Sequence, residues 1–336
     1  MKLGRRKEQS AQILAPSEAP VSVNADVVIS VIICVYNGEK YLDRTLQSVL
    51  AQRGIVHGRK AGNGIEVVII DDCSADQSLA IIEKYLPVFR SNGFAVKLIR
   101  HPVNKSIIAS YTEGVLTSRG KYFKILDHDD TLASETALAH PVQFMEDMAE
   151  RGIAVGAVFS KTSYMNKHDE VFGEKRFPFP FLPFEASDGL IARRWGQFVL
   201  AFSPIYPFVH GGAVTSKECW AQVSAKLLAE KEIGLFDVLL AISIMYHPVW
   251  RAGYLRAPAL NYRIHTTNFT QTAGDSRGGW SNILNDHYTG ILGPGLVCQS
   301  VVAWNRWVQM LKSRYYRTRG LDSYKIIKIF KLRRQK

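Results

Sequence analysis

Residues 27–126 alternate between short β-branched runs and segments with helical spacing, and this alternation restricts the fold more than any other property of the chain. Val27–Val35 is a β-branched run, and Lys40–Gln52 follows it with Leu42, Leu46, Val49 and Leu50 at helical spacing. Glu66–Ile70 and Leu79–Phe89 repeat the pair, as do Ala95–Ile99 and Ile107–Thr117, and Lys121–Leu126 reads as a fourth strand. Strands that alternate with helices form βαβ units, so the expected class is α/β, a mostly parallel sheet flanked by helices. Beyond Arg151 the pattern changes. Ala154–Ser160 reads as a strand, Phe177–Phe184 as an aromatic, Pro-rich surface loop, and Lys217–Leu228 and Gly234–Tyr246 as helices. Gly253–Leu255 and Ala259–Ile264 read as short strands leading into His265.

In sheets of this kind, ligands bind outside the carboxyl ends of the strands. Three polar clusters fall there: Tyr36-Asn37-Gly38, Asp71-Asp72-Cys73-Ser74 and Asp127-His128-Asp129-Asp130. Side chains alternate along an extended segment, so Asp127 and Asp129 share a face, and two carboxylates on one face can hold a hard divalent cation. Taken alone, the acidic stretch also suits a helix entry near Ser134, with Asp130 or Thr131 as its cap. Asp71 and Asp72 likewise suit the start of a helix near Ala75.

Composition narrows the class. Of 336 residues, 47% are apolar and 21% charged, the balance of a soluble globular protein. No apolar run reaches membrane-spanning length, and Leu235–Tyr246 and Ile291–Trp304 are short and interrupted. The basic N-terminus lacks an apolar core after it, and residues 1–25 read as a flexible leader. The four cysteines are scattered and form no CxxC pair, which suits reduced thiols in the cytoplasm. Ten basic residues and one acid, Asp322, lie between Lys312 and Lys336, so most of the net charge of +12 sits in that tail. With Tyr315, Tyr316, Tyr324 and Phe330 among them, the tail reads either as a solvated end or as a contact for an anionic membrane surface. No nucleic-acid motif accompanies it. The expected location is cytoplasmic, peripheral on the inner face of the cell membrane.

The order Val31–Asn37, Val67–Asp76 and Leu126–Asp130 resembles the family 2 glycosyltransferases over roughly residues 28–270. The resemblance implies a GT-A, Rossmann-like catalytic domain over 26–270, with a donor half over 26–150 and an acceptor half over 151–270. A C-terminal extension with the basic tail follows over 271–336. It also implies an inverting transfer of a sugar from a nucleotide-diphosphate donor, a UDP-sugar by family habit, to a hydroxyl of a surface glycan or lipid-linked saccharide.

The resemblance further implies roles residue by residue. Tyr36 packs against the nucleotide base, with Asn37 beside it, and base stacking of that kind is worth about 1–3 kcal/mol. Asp72 accepts a hydrogen bond from the base, supported by Asp71. Asp127 and Asp129 form the DxD pair that holds Mn²⁺ or Mg²⁺ against the diphosphate, and no role falls to His128. Asp237, near the start of an apolar helix, is the general base, although Phe236 replaces the acid usual before it; Glu230 and Glu232 stand as fallbacks. Asn261-Tyr262-Arg263-Ile264-His265 matches the domain's ending, placing Arg263 on the donor side and His265 at the metal. Gly211-Gly212 matches a glycine turn on the acceptor side. Tyr111-Thr112 departs from the family's usual Arg-Asn pair, a loss that Lys105, Arg119 or Lys121 might offset.

Two other readings compete. A nucleotidyltransferase also uses an open sheet and a carboxylate-held metal, but it needs a Gly-rich phosphate loop that Tyr36–Glu39 does not provide; no P-loop or complete GxGxxG is present either. A catalytically degenerate sugar-nucleotide sensor or scaffold is favoured by Phe236 and Tyr111-Thr112, and opposed by Asp127, Asp129 and Asp237.

Overall fold

The computed structural model describes residues 27–55, 63–174, 188–193, 197, 212–228 and 236–265, with backbone alone at 174, 224–228 and 236–239. The leader, the aromatic loop over 177–184, Gly211, Glu230, Glu232 and the extension over 271–336 lie outside these residues. The donor half runs β1 (Ile29–Val35), α1 (Leu42–Leu50), β2 (Ile65–Asp71), α2 (Ser78–Ser91), β3 (Ala95–Arg100), α3 (Ile107–Thr117), β4 (Tyr122–Asp127), β5 (Thr131–Leu132) and α4 (Ala139–Glu150). The acceptor half follows with β6 (Val155–Met165), β7 (Val171–Glu174), β8 (Gly189–Leu190) and β9 (Ala213–Ser216). It then continues with α5 (Lys217–Leu228), α6 (Phe236–Tyr246) and β10 (Arg251–Arg263).

All described strands join one sheet, in the order β3-β2-β1-β4-β9-β6-β10-β5, with β7 on β6 and β8 on β10. β3, β2, β1 and β4 are mutually parallel, as the alternating pattern implies. β9 runs antiparallel between β4 and β6 and so joins the two halves. Every residue of β1 and β2 is buried, which is why both read as unbroken apolar runs rather than alternating ones. Ile32, Cys34, Ile70 and Ile125 pack on one face with Tyr111 and Val115 of α3 and Trp220 of α5. Val31, Ile33, Val67 and Leu126 pack on the other with Leu42 and Leu46 of α1, Ile82 and Phe89 of α2, and Met145 of α4. No described helix is long and apolar enough to cross a membrane.

Two sequence expectations need correction. The helix expected near Ser134 begins at Ala139, because Thr131 and Leu132 pair with Asn261 and Leu260 as an edge strand. The two short strands before His265 are one strand, β10. Its register shifts on either side of Pro258, whose missing N–H interrupts the ladder and splits the sequence pattern.

Helix α3 lies close against the sheet because Gly114 carries no side chain. A Cβ there would collide with Ile32 Cγ2 and approach Ile70 Cδ1 to 3.0 Å, both fully buried. Gly114→Ala should therefore destabilise the fold by about 1–3 kcal/mol through overpacking, despite the better helix propensity of alanine. A urea-unfolding midpoint equal to that of the unsubstituted protein would contradict this.

Candidate active site

β1, β2 and β4 end side by side: Val35 registers with Asp71, and Cys34 with Asp127. The three polar clusters are thereby brought to one rim. Asn37 takes φ 50°, a left-handed conformation that asparagine tolerates well, and its side chain brackets two turns. The Ala75 N–H donates to Asn37 Oδ1 (2.8 Å), while the Asn37 N–H donates to Ser74 Oγ (3.1 Å). The Gly38 N–H donates to Ser78 Oγ (2.8 Å) and the Glu39 N–H to Asp76 Oδ2 (3.0 Å). Tyr36 is half exposed at 50%, which excludes a buried core role and leaves a ring face open at the rim.

Neither Asp71 nor Asp72 serves the start of α2, which begins at Ser78; Asp76 Oδ1 accepts the Ser78 N–H instead. Asp71, buried, accepts the Ser74 N–H (3.2 Å). Asp72, also buried, accepts the Lys105 N–H at Oδ1 (2.8 Å), and His101 Nδ1 lies 2.7 Å from the same oxygen.

Asp127, Asp129 and Asp130 offer carboxylate oxygens that all lie within 4.8 Å of one another. The Tyr111 hydroxyl donates to Asp127 Oδ1, and His265 Nε2 stands 2.8 Å from Asp129 Oδ2. Asp130 is not a helix cap: it is buried, and its Oδ1 accepts the Arg263 N–H (2.8 Å). Burial, and then the charges of Asp129 and Asp127, push its carboxyl well above the usual range. Lys124, fully buried in β4, is brought down by burial to about 7, against the pull of Asp130 and Asp127. Oxygen-only donors on two half-buried carboxylates, with an imidazole beside them, fit a hard divalent cation; Asp130, already engaged, is the least available.

Arg263 was expected among the donor contacts, yet its side chain is wholly buried behind the acidic loop. Its Nε donates to the Asp129 carbonyl (2.7 Å), Nη1 to the Asn166 carbonyl (3.1 Å), and Nη2 pairs with Asp169 (2.6 Å). The guanidinium also covers the Tyr41 ring at 4.5 Å, and Tyr41 in turn lies 4.9 Å from the His265 ring. His128 turns back over the β1–α1 turn: its Nδ1 is 3.3 Å from the Cys34 carbonyl, and a Cβ on Gly38 would come within 2.5 Å of its ring. Asp237 lies in the first turn of α6, with only its backbone described.

Sequence reasoning missed Tyr41, His101, Glu113 and Lys124. Lys124 left a signal, a single charge inside an apolar strand, and His101 another, a titratable residue one step past β3 on the same rim. Tyr41 and Glu113 left none, since their partners are distant in sequence.

The sequence profile described as glycosyl transferase family 2 matches residues 30–195, about half of the chain and the part that carries all three rim clusters. The chain belongs to glycosyl transferase family 2. Among the curated members of the family, it is 28% identical over 138 residues to the succinoglycan biosynthesis protein ExoO of Rhizobium meliloti, covering 41% of this chain and 33% of ExoO. The match thus spans about a third of that relative. Among solved structures, the fold resembles that of S. aureus TarS 1–349 in complex with UDP-GlcNAc, with a TM-score of 0.58, 17% identity and coverage of 82% and 71% of the two chains. The mannosyltransferase PcManGT of Pyrobaculum calidifontis, in complex with GDP-Man and Mn²⁺, gives a TM-score of 0.50 at 15% identity, covering 88% and 78%. The fold of this family 2 member is therefore GT-A.

The site's buried acids make its stability pH-dependent. Burial first, and then the charge of Asp127, push the Cys34 thiol and the Tyr111 phenol well above their ordinary values of 9.0 and 10.0. From about pH 9 upward, the unfolded chain releases protons that the folded chain retains, so stability falls as pH rises. Tyr111→Phe should flatten that fall between about pH 9 and 11 when melting temperature is followed against pH. An unchanged slope would contradict the placement of Tyr111.

Proposed function

We propose that the chain is a metal-assisted inverting glycosyltransferase of polysaccharide biosynthesis. It moves a sugar from a nucleotide-diphosphate donor to a hydroxyl of a surface-glycan or lipid-linked saccharide. The observation that carries this reading is the convergence of Asp127, Asp129 and Asp130 within 4.8 Å on the rim that also holds Tyr36 and Asp72. The naming of ExoO for succinoglycan biosynthesis supports the pathway class.

On this reading Tyr36 stacks on the base, and Asp72 accepts a base N–H. An ionised carboxylate only accepts hydrogen bonds, so it selects bases that present a ring N–H, uracil or guanine, over cytosine and adenine. The two structural neighbours were solved with UDP-GlcNAc and GDP-Man, donors of those two bases. UDP is the nucleotide proposed here. Asp127, Asp129 and His265 would hold Mn²⁺ or Mg²⁺, which when bound neutralises charge on the leaving diphosphate. Asp237 takes the proton of the acceptor hydroxyl. The hydroxyl oxygen then bonds to the anomeric carbon as the bond to the diphosphate breaks on the opposite face, which inverts the configuration. Arg263 serves the site indirectly by holding the Asp129–Asp130 backbone. The tail over 312–336 attaches the enzyme to an anionic membrane surface on the cytoplasmic side.

Two measurements test this reading. Release of nucleoside diphosphate from a sugar nucleotide should stop in EDTA and in Asp129→Ala, which should also weaken nucleotide binding in Mn²⁺. Asp237→Asn should leave donor affinity near normal and lower kcat by about 10²–10⁴-fold. Metal-independent release would remove the metal role, and collapsed donor affinity in Asp237→Asn would remove the base role. Deleting 312–336 should release the protein from anionic vesicles that otherwise bind it in a salt-sensitive way. Persistent binding would show that the tail is not the anchor.

A further inference from the structure

Behind Asp72 stands a set of polar groups to which the proposed chemistry gives no task. His101 follows β3 with its side chain 1% exposed. Its Nδ1 lies 2.7 Å from Asp72 Oδ1, and its Nε2 lies 3.0 Å from Glu113 Oε2 on α3. Lys105 closes the set from the β3–α3 loop. Its Nζ is 3.2 Å from Glu113 Oε2, and its backbone N–H donates to Asp72 Oδ1. The next residue, Ser106, takes φ 86° and ψ 154°, a conformation that residues with a side chain rarely adopt. Such strain persists only where the surroundings impose it, here in the loop that presents the Lys105 N–H.

The chemistry of the ring limits how this set can be satisfied. An ionised carboxylate only accepts, and a neutral imidazole has one N–H and one lone pair. A neutral His101 donates to one carboxylate and turns its lone pair on the other, whereas the imidazolium donates to both. The charged groups facing the ring are Asp72 at the end of β2, Glu113 on α3 and Lys105 in the loop. Asp71 meets only the backbone, where the His101 N–H donates to its carbonyl (2.9 Å). Cys34 on β1 stays a neutral thiol, pushed up by burial and then by nearby carboxylates. Burial raises the Glu113 carboxyl, but the bonds from Lys105 and His101 outweigh it and hold the group below its ordinary value. Two carboxylates and one ammonium are balanced by one further positive charge.

We propose that His101, as an imidazolium braced by Glu113 and Lys105, is a positioning residue that fixes Asp72 for recognition of the donor's base. This rests on the reading of Asp72 as the base acceptor. With Oδ1 held by two donors the carboxylate cannot rotate, and Oδ2 is the oxygen left for the base. As pH rises and the ring loses its proton, one of its nitrogens turns a lone pair on a carboxylate. The brace loosens, and affinity for the nucleotide falls.

The test is calorimetric titration of UDP, in saturating Mg²⁺, between about pH 5.5 and 8.5, with inorganic pyrophosphate as a base-free probe. UDP affinity relative to pyrophosphate should fall about tenfold across that range, the worth of one charge-assisted hydrogen bond. His101→Gln should bind UDP weakly and with a flat profile, while pyrophosphate binding stays as in the unsubstituted protein. Glu113→Gln should instead keep full affinity and lose the pH dependence, because a neutral ring can donate to Asp72 and accept from the new amide. A merely structural histidine would not produce that rescue at high pH. Glu113 is partly exposed, so its variant carries the test even where His101→Gln fails to fold. Unchanged UDP affinity in His101→Gln, or an undiminished pH dependence in Glu113→Gln, would overturn the positioning role. Unchanged UDP affinity in Asp72→Asn would overturn the base reading itself, and the positioning role with it.

Discussion

A single buried guanidinium unites the two halves of the sheet at the site. Arg263 is the last residue of β10, in the acceptor half, and its backbone and side chain reach Asp130, Asp129, Asn166, Asp169 and Tyr41. The acidic loop after β4 would otherwise hold three carboxylates within 4.8 Å with little to resist their repulsion. Arginine suits the task because its planar fork stays charged and can serve carbonyls, a carboxylate and a ring face at once. A buried cation that lost these partners would be strongly destabilising, so the loop and the end of β10 are fixed together.

The same loop shows how opposed burial and charge set a site's electrostatics. Asp130 is buried and pushed toward its neutral form, and Lys124 beneath it is drawn toward neutrality by burial as well. Asp127 and Asp129 lie nearer solvent, where an external cation and phosphate can meet them. The acid nearest the core therefore braces the loop, and the two nearer the rim face the ligand. On the opposite end of the sheet, Glu66 plays a purely structural part, accepting from Ser30 and from both the backbone and side chain of Arg119.

Much of this was legible in the sequence, for definite reasons. β1, β2 and β4 are buried on both faces, so their residues form apolar runs that end where solvent begins, and the polar rim clusters mark those ends. α3 and α5 follow simple helical spacing, and both were placed as found. The errors came from residues whose local preference was overruled. Asp130 and Thr131 have the chemistry of a helix entry, but pairing with β10 drew them into an edge strand. Arg263 has the chemistry of a phosphate contact, but its position at the end of β10 turned it behind the loop. His101 binds groups 29 and 12 residues away, and no local pattern encodes such a contact.

The claim on which the rest depends is that the rim acids receive a metal bound to the donor's diphosphate. Anomalous diffraction at the manganese edge, from crystals grown with Mn²⁺ and UDP, tests it most directly. The expected result is one strong peak within about 2.5 Å of carboxylate oxygens of Asp127 or Asp129, bridged to the diphosphate. A nucleotide bound at Tyr36 and Asp72 with no peak at those carboxylates, or a peak elsewhere on the chain, would contradict it.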